Sequence, residues 1–114
     1  MFKLDILIVR RQDMSHQQFL EYWRDRHGAF FVSQPIVKKT VRRYVQTRTI
    51  ANTPAGLPAA PFDGIAQIWF DNVDGFLEYL NSANYKEIIR PDEERFTDPQ
   101  RVQFMFSEET PMIG

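Results

Sequence analysis

His27 is the side chain in this sequence best placed to do chemistry. It follows Trp23 by four residues and Phe19 by eight, so the three share one face of a helix built over them. An imidazole on such a face titrates near neutral pH and can take or give a proton. The same position also suits a core histidine bonded to a backbone carbonyl. His16 lies in a polar run and reads as a surface residue. Tyr44 stands among Arg42, Gln46 and Arg48. A phenol beside cations can polarise a carbonyl or steady an enolate, or it can cover an interface. Gln67 and Trp69 alternate onto one side of an apolar run, an amide beside an aromatic wall. They suit a ligand pocket and a subunit contact equally well.

Other chemistries find no support. There is no cysteine among the 114 residues, which removes thiolate metal sites, iron–sulfur clusters, disulfides and a cysteine nucleophile. Two histidines eleven positions apart, without clustered carboxylates, do not make a metal-ligand set. No glycine-rich nucleotide loop and no nucleophile-elbow motif is present. The expectation is therefore a site without metal or cofactor.

The elements that would position these residues follow from periodicity. Phe2 to Arg10 is short, apolar and β-branched, and reads as a strand buried on both faces. Ser15 with Gln18 forms a capping box, and Phe19, Tyr22, Trp23, His27 and Phe30 follow at helical spacing. Gly28 can end or kink that helix, and Pro35 stops it. Thr40 to Ile50 alternates as a second strand, with Val41, Arg43, Val45 and Thr47 on one face and Arg42, Tyr44, Gln46 and Arg48 on the other. Residues 51–61 hold three prolines and form a loop. Ile65 to Phe70 is a third strand, and Asp71 or Asn72 can cap a helix carrying Val73, Phe76, Leu77 and Leu80. A short helical piece over Tyr85 to Ile89 ends at Pro91, residues 91–100 read as a polar loop, and Arg101 to Glu108 is the last strand. Residues 1–108 thus form one domain, and 109–114 a tail.

This βαββαβ order predicts an α+β, ferredoxin-like fold: a four-stranded antiparallel sheet with two main helices on one face. A domain of this length hides only roughly 60–70% of its unfolded surface, and ten Phe are a large aromatic load for so small a core. The uncovered sheet face would carry Tyr44, Gln46, Gln67 and Trp69. Packing two such faces together as a dimeric α/β barrel would cover them, so a homodimer is expected. Net charge is −1, and the basic block Lys38, Lys39, Arg42, Arg43 and Arg48 holds a single aromatic, Tyr44, and no recognition motif. That argues against nucleic acid; the block and the acidic stretch Asp92, Glu93, Glu94 and Asp98 read as solvated faces. The first apolar run holds Asp5 and is no signal peptide, and no stretch approaches a membrane span. A cytoplasmic location is expected.

Four segments together resemble the EthD-domain family. They are Phe19, Trp23 and His27 in the run 14–27, the Arg42-Arg43-Tyr44-Val45-Gln46 strand, the Asp63-to-Asp71 strand, and Asp92-Glu93 with Phe96 and Asp98 in the later loop. The resemblance runs nearly end to end. It implies the ferredoxin-like fold, a dimeric barrel, and a pocket lined by Trp23, His27 and Tyr44, with His27 as acid/base. Gln67 stands where the family commonly has Glu, and Ile68 where lactone-isomerase relatives place a Cys. Both departures would leave His27 with fewer partners.

The leading expectation is a cofactor-independent lyase or isomerase, of cyclase, dehydratase or decarboxylase type, acting on a small activated carbonyl, lactone or polyketide-like aromatic. His27 would move a proton, Tyr44 and Arg48 would stabilise the enolate, and Trp23, Phe30, Gln67 and Trp69 would hold the substrate. The alternatives are a non-catalytic small-molecule-binding accessory of an oxidoreductase system and a haem binder ligating through His27.

Overall fold

A computed structural model describes residues 1–114. One antiparallel sheet, in the order β2-β3-β1-β4, is built from β1 (Phe2–Ile8), β2 (Val41–Arg48), β3 (Gly64–Phe70) and β4 (Gln103–Ser107). Four helices accompany it: α1 over residues 16–33, α2 (Pro35–Thr40), α3 (Val73–Asn81) and α4 over residues 83–93. This is the expected α+β, ferredoxin-like arrangement. No helix is long and apolar enough to cross a membrane.

Cross-strand partners share a sheet face, and the register sorts the residues. Leu4, Ile6 and Ile8 of β1 align with Ile68, Ala66 and Gly64, and face the helices. The core closes over them with Phe19, Trp23 and Phe31 of α1, Ile36 and Val37 of α2, Phe76 and Tyr79 of α3, Ile89 of α4, and Phe96. Lys3, Asp5 and Leu7 align with Trp69, Gln67 and Ile65 on the opposite, uncovered face.

Strand β2 corrects the sequence reading. Tyr44 and Gln46 pair with Ile68 and Ala66 and so face the helices, not the open side. The cause is a bulge between Val41 and Arg43. An extra residue breaks the two-residue period, so Val41 and Tyr44 reach the same face although three apart. Arg43, Val45 and Thr47 take the open face beside Trp69, Gln67 and Ile65.

Helix α1 also departs from expectation. It starts at the expected capping box, with Ser15 and Gln18 exchanging hydrogen bonds. It then widens into a π segment, Tyr22–His27, and continues unbroken through Gly28 to Ser33. Four-residue steps on an α-helix drift by about 40° each. The wide turn rotates the other way, which keeps Phe19, Trp23, His27 and Phe31 all buried on one side. Gly28 serves close approach: a Cβ there would lie 3.2 Å from Gln46 Nε2. Pro35 follows the end of α1 as expected and opens α2, where its missing N–H costs nothing.

The polar loop expected over residues 91–100 begins as helix: α4 runs through Pro91 to Glu93. A second π segment, Tyr85–Ile89, ends two residues before the proline, which sits in the first turn of the helical piece that follows. The basic block is exposed as expected, with Lys39 paired to Glu78 and Arg42 to Asp71 at 2.9 Å on the surface. The acidic stretch is not simply solvated: Asp92 and Glu93 are half-buried and Asp98 is buried.

Candidate functional site

A cavity of about 730 Å³ lies between the helix-facing side of the sheet and the helices α1, α3 and α4. Ile6, Ile8, Ala66 and Ile68 form its apolar floor. Trp23, His27 and Phe31 line it from α1, Tyr44 from β2, and Tyr85, Arg90 and Glu93 from α4.

His27 is 4% exposed and rests against Phe96 and Phe31, with ring centroids 4.7 and 5.7 Å away. Its Nδ1 lies 2.7 Å from Asp92 Oδ2. With the carboxylate accepting, Nδ1 carries the proton and Nε2 presents a lone pair. Nε2 has no hydrogen bond, and the one sealed side-chain polar atom without a partner is Asp5 Oδ1. Nε2 is therefore not sealed, and His27 lines the cavity. Burial lowers the imidazole pKa, and Asp92 offsets part of that loss. The ring is neutral at pH 7 and holds a free lone pair.

Asp92 is itself held. Tyr22 Oη donates to Oδ1 at 2.5 Å, and Arg95 Nη1 stands 3.9 Å from the same oxygen. Tyr22 and His27 belong to one π segment, so the widened turn aims both at α4.

Tyr44 accepts from Gln46 Nε2 at 2.8 Å, and that amide also donates to the Trp23 carbonyl at 2.9 Å. The Tyr44 O–H is left to donate. Burial pushes its pKa up to about 12, so it stays a neutral donor. On α4, Tyr85 Oη donates to Glu93 Oε1 at 2.8 Å. Burial pushes the Glu93 carboxyl up to about 7, against the hydrogen bond from Tyr85 and the charge of Arg90.

The structure brings together three of the residues expected at the site: Trp23, His27 and Tyr44. The other four lie elsewhere. Gln67 and Trp69 are on the opposite sheet face, where Gln67 accepts from Thr47 and Trp69 is flanked by Lys3 and Arg43, each 4.7 Å from its ring. Arg48 is exposed at the end of β2. Phe30 is half-buried in a separate depression with Tyr22 and Arg26, because Phe31 takes the inward position. Gln67 in place of Glu thus takes nothing from His27, whose carboxylate partner is Asp92. Sequence reasoning missed Asp92, Glu93 and Tyr85. The signal was the Asp92-Glu93…Phe96…Asp98 run, whose acidity suggested solvent. No three histidine or acidic side chains are grouped to hold a metal ion.

The EthD-domain family model matches residues 11–100, a span that holds the helix-borne histidine and its carboxylate partner. The chain belongs to the EthD family. Among solved structures, it is similar to an EthD family protein from Bacillus halodurans, at 22% identity and a TM-score of 0.72, covering 96% of this chain and 99% of that one. An EthD-like protein from Ralstonia eutropha follows at 17% identity and TM-score 0.68, covering 94% and 89%. A dimeric protein of unknown function with a ferredoxin-like fold, from Bacteroides fragilis, has 13% identity and TM-score 0.62, covering 95% of each chain. At these identities the likeness is one of fold. No curated protein matches the sequence.

Proposed function

We propose that this EthD-family chain moves a proton α to a carbonyl in a small, largely apolar substrate, without a cofactor. The carrying observation is the His27–Asp92 pair beside the cavity: Nδ1 is satisfied and Nε2 is free. Nε2 takes the α-proton. The C–H electron pair forms a C=C bond, and the carbonyl π pair moves onto oxygen, where the Tyr44 O–H can meet it. Returning the proton to another carbon gives an isomerase; expelling a group from the β-carbon gives a lyase. Trp23, Phe31 and the sheet floor would hold an aromatic or alicyclic body.

The test is α-deuterium exchange of aryl ketones and lactones, beginning with 2-tetralone, in D2O by NMR. Wild type is expected to exceed the buffer rate, and His27→Ala to return to it, a loss of about 10²–10⁴-fold. An equal rate in a folded His27→Ala variant overturns the reading. Binding without exchange would leave the accessory-binder alternative, and a Soret band on adding haemin the haem one.

We also propose a homodimer across the open sheet face. Asp5 Oδ1 is sealed there without a hydrogen bond, with Lys3 Nζ 3.5 Å away, and Val45 and Ile65 lie half-buried nearby. Light scattering is expected to give twice the 13.5 kDa chain mass. Val45→Glu, which puts a charge at that face, is expected to give monomer; a wild-type monomer at micromolar concentration would end the proposal.

A further inference from the structure

Glu93 is hard to explain as a brace. It lines the cavity, yet its carboxylate forms no ion pair, and the only hydrogen bond to that carboxylate comes from Tyr85 to Oε1. Oε2 has no partner and is not among the sealed atoms, so it too reaches open space. Glu93 is half-buried, and a carboxylate withdrawn from water for structure alone is ordinarily met by a cation or several donors. The groups around it do not supply these. Tyr44 comes from β2, Tyr79 from α3, and Tyr85, Arg90, Asp92 and Glu94 from its own helix; His27 of α1 shares the cavity. Three phenols and two further acids face it against one arginine.

We propose that Glu93 is a second catalytic group of this cavity, a carboxylic acid positioned by Tyr85 that protonates the substrate's carbonyl oxygen while His27 takes the α-proton. The inference rests on the proton-transfer reading above and deepens it. The α C–H bond breaks and its pair forms C=C; the carbonyl π pair takes the proton from Oε2, forming a neutral enol. Glu93 is left as carboxylate and His27 as imidazolium, and the reverse transfers restore both. Such a site accepts plain ketones, because no free enolate has to form.

The pH behaviour follows with a definite sign. The base works above the lowered His27 pKa, and the acid works while Glu93 keeps its proton, below about 7. The exchange rate of 2-tetralone is therefore expected to fall on the alkaline side with a midpoint near 7. Glu93→Gln keeps an oxygen to accept from Tyr85 but has no proton to give. It is expected to lower the rate at pH 6 at least 10-fold and to abolish the alkaline limb. Carboxyl ¹³C NMR of wild type, labelled at glutamate, is expected to show one group titrating near 7, whether or not the variant folds. An unchanged alkaline limb in Glu93→Gln, or no glutamate titrating above 6, overturns the acid role and leaves His27 as base. Absence of exchange in wild type overturns both.

Discussion

Asp92→Asn is expected to remove roughly a thousandfold of the His27-dependent exchange while the fold and the cavity stay intact. Size does not explain this, since the two side chains are nearly isosteric. The direction of one hydrogen bond does. Tyr22 Oη donates to Oδ1 of Asp92, and the Arg95 guanidinium faces the same oxygen. Both select the carbonyl oxygen of an asparagine for that position. The amide nitrogen must then take the place of Oδ2, 2.7 Å from His27 Nδ1, and it can only donate. Nδ1 becomes the acceptor, the proton moves to Nε2, and the lone pair that should face the substrate is gone. Substitutions that force the wrong tautomer on a catalytic histidine cost up to about 10⁴, and less where the carboxylate only orients the ring. ¹⁵N NMR of His27 is expected to show the Nδ1–H tautomer in wild type and Nε2–H in the variant. Adding Tyr22→Phe removes one of the two constraints on the amide and is expected to restore part of the rate. A full rate, or an unchanged tautomer, would mean that Asp92 does not set the state of the ring.

Much of the fold was legible because it rests on local signals. The capping box at Ser15, the apolar period over Phe19, Trp23 and His27, and the alternation in β3 each appear where the sequence places them. The site was legible only on the helix side. Whether Tyr44 or Val45 points inward depends on a single bulged residue at the start of β2, and alternation alone cannot show where a strand loses its phase. Phe30 and Phe31 exchanged roles for a related reason: a π turn shifts the period of a helix without any residue that signals it. Asp92 and Glu93 were read as solvent-facing because acidic runs usually are. Their burial is set by partners 65 and 8 positions away, His27 and Tyr85. Pro91 added to the error by suggesting a loop where a second π segment carries the helix through.

The cavity wall has a structural dependence of its own, and Gly64→Ala tests it. A Cβ at Gly64 would lie 2.6 and 2.8 Å from Cζ3 and Cη2 of Trp23, and 3.0 Å from the carbonyl oxygen of Thr47. None of these can yield easily. The Thr47 carbonyl belongs to β2, which is paired with β3. The Trp23 ring is 1% exposed and stacks on Phe19 with centroids 5.3 Å apart, and its backbone carbonyl is held by Gln46. Overpacking of this kind costs about 1–3 kcal/mol, more where backbone must move, so a fall in Tm on the order of 10 °C is expected. Trp23 is also a wall of the cavity, so the displaced ring should weaken binding of 2-tetralone along with the fold. Trp23→Phe removes the ring atoms that meet the new methyl group. In the double variant the two losses are then expected to add to less than their sum, by about 1 kcal/mol or more. Strict additivity in a urea-melting cycle would show that Gly64 is not there to seat the indole. A shortfall would show that the close approach of β3 to α1 is what holds Trp23 beside His27.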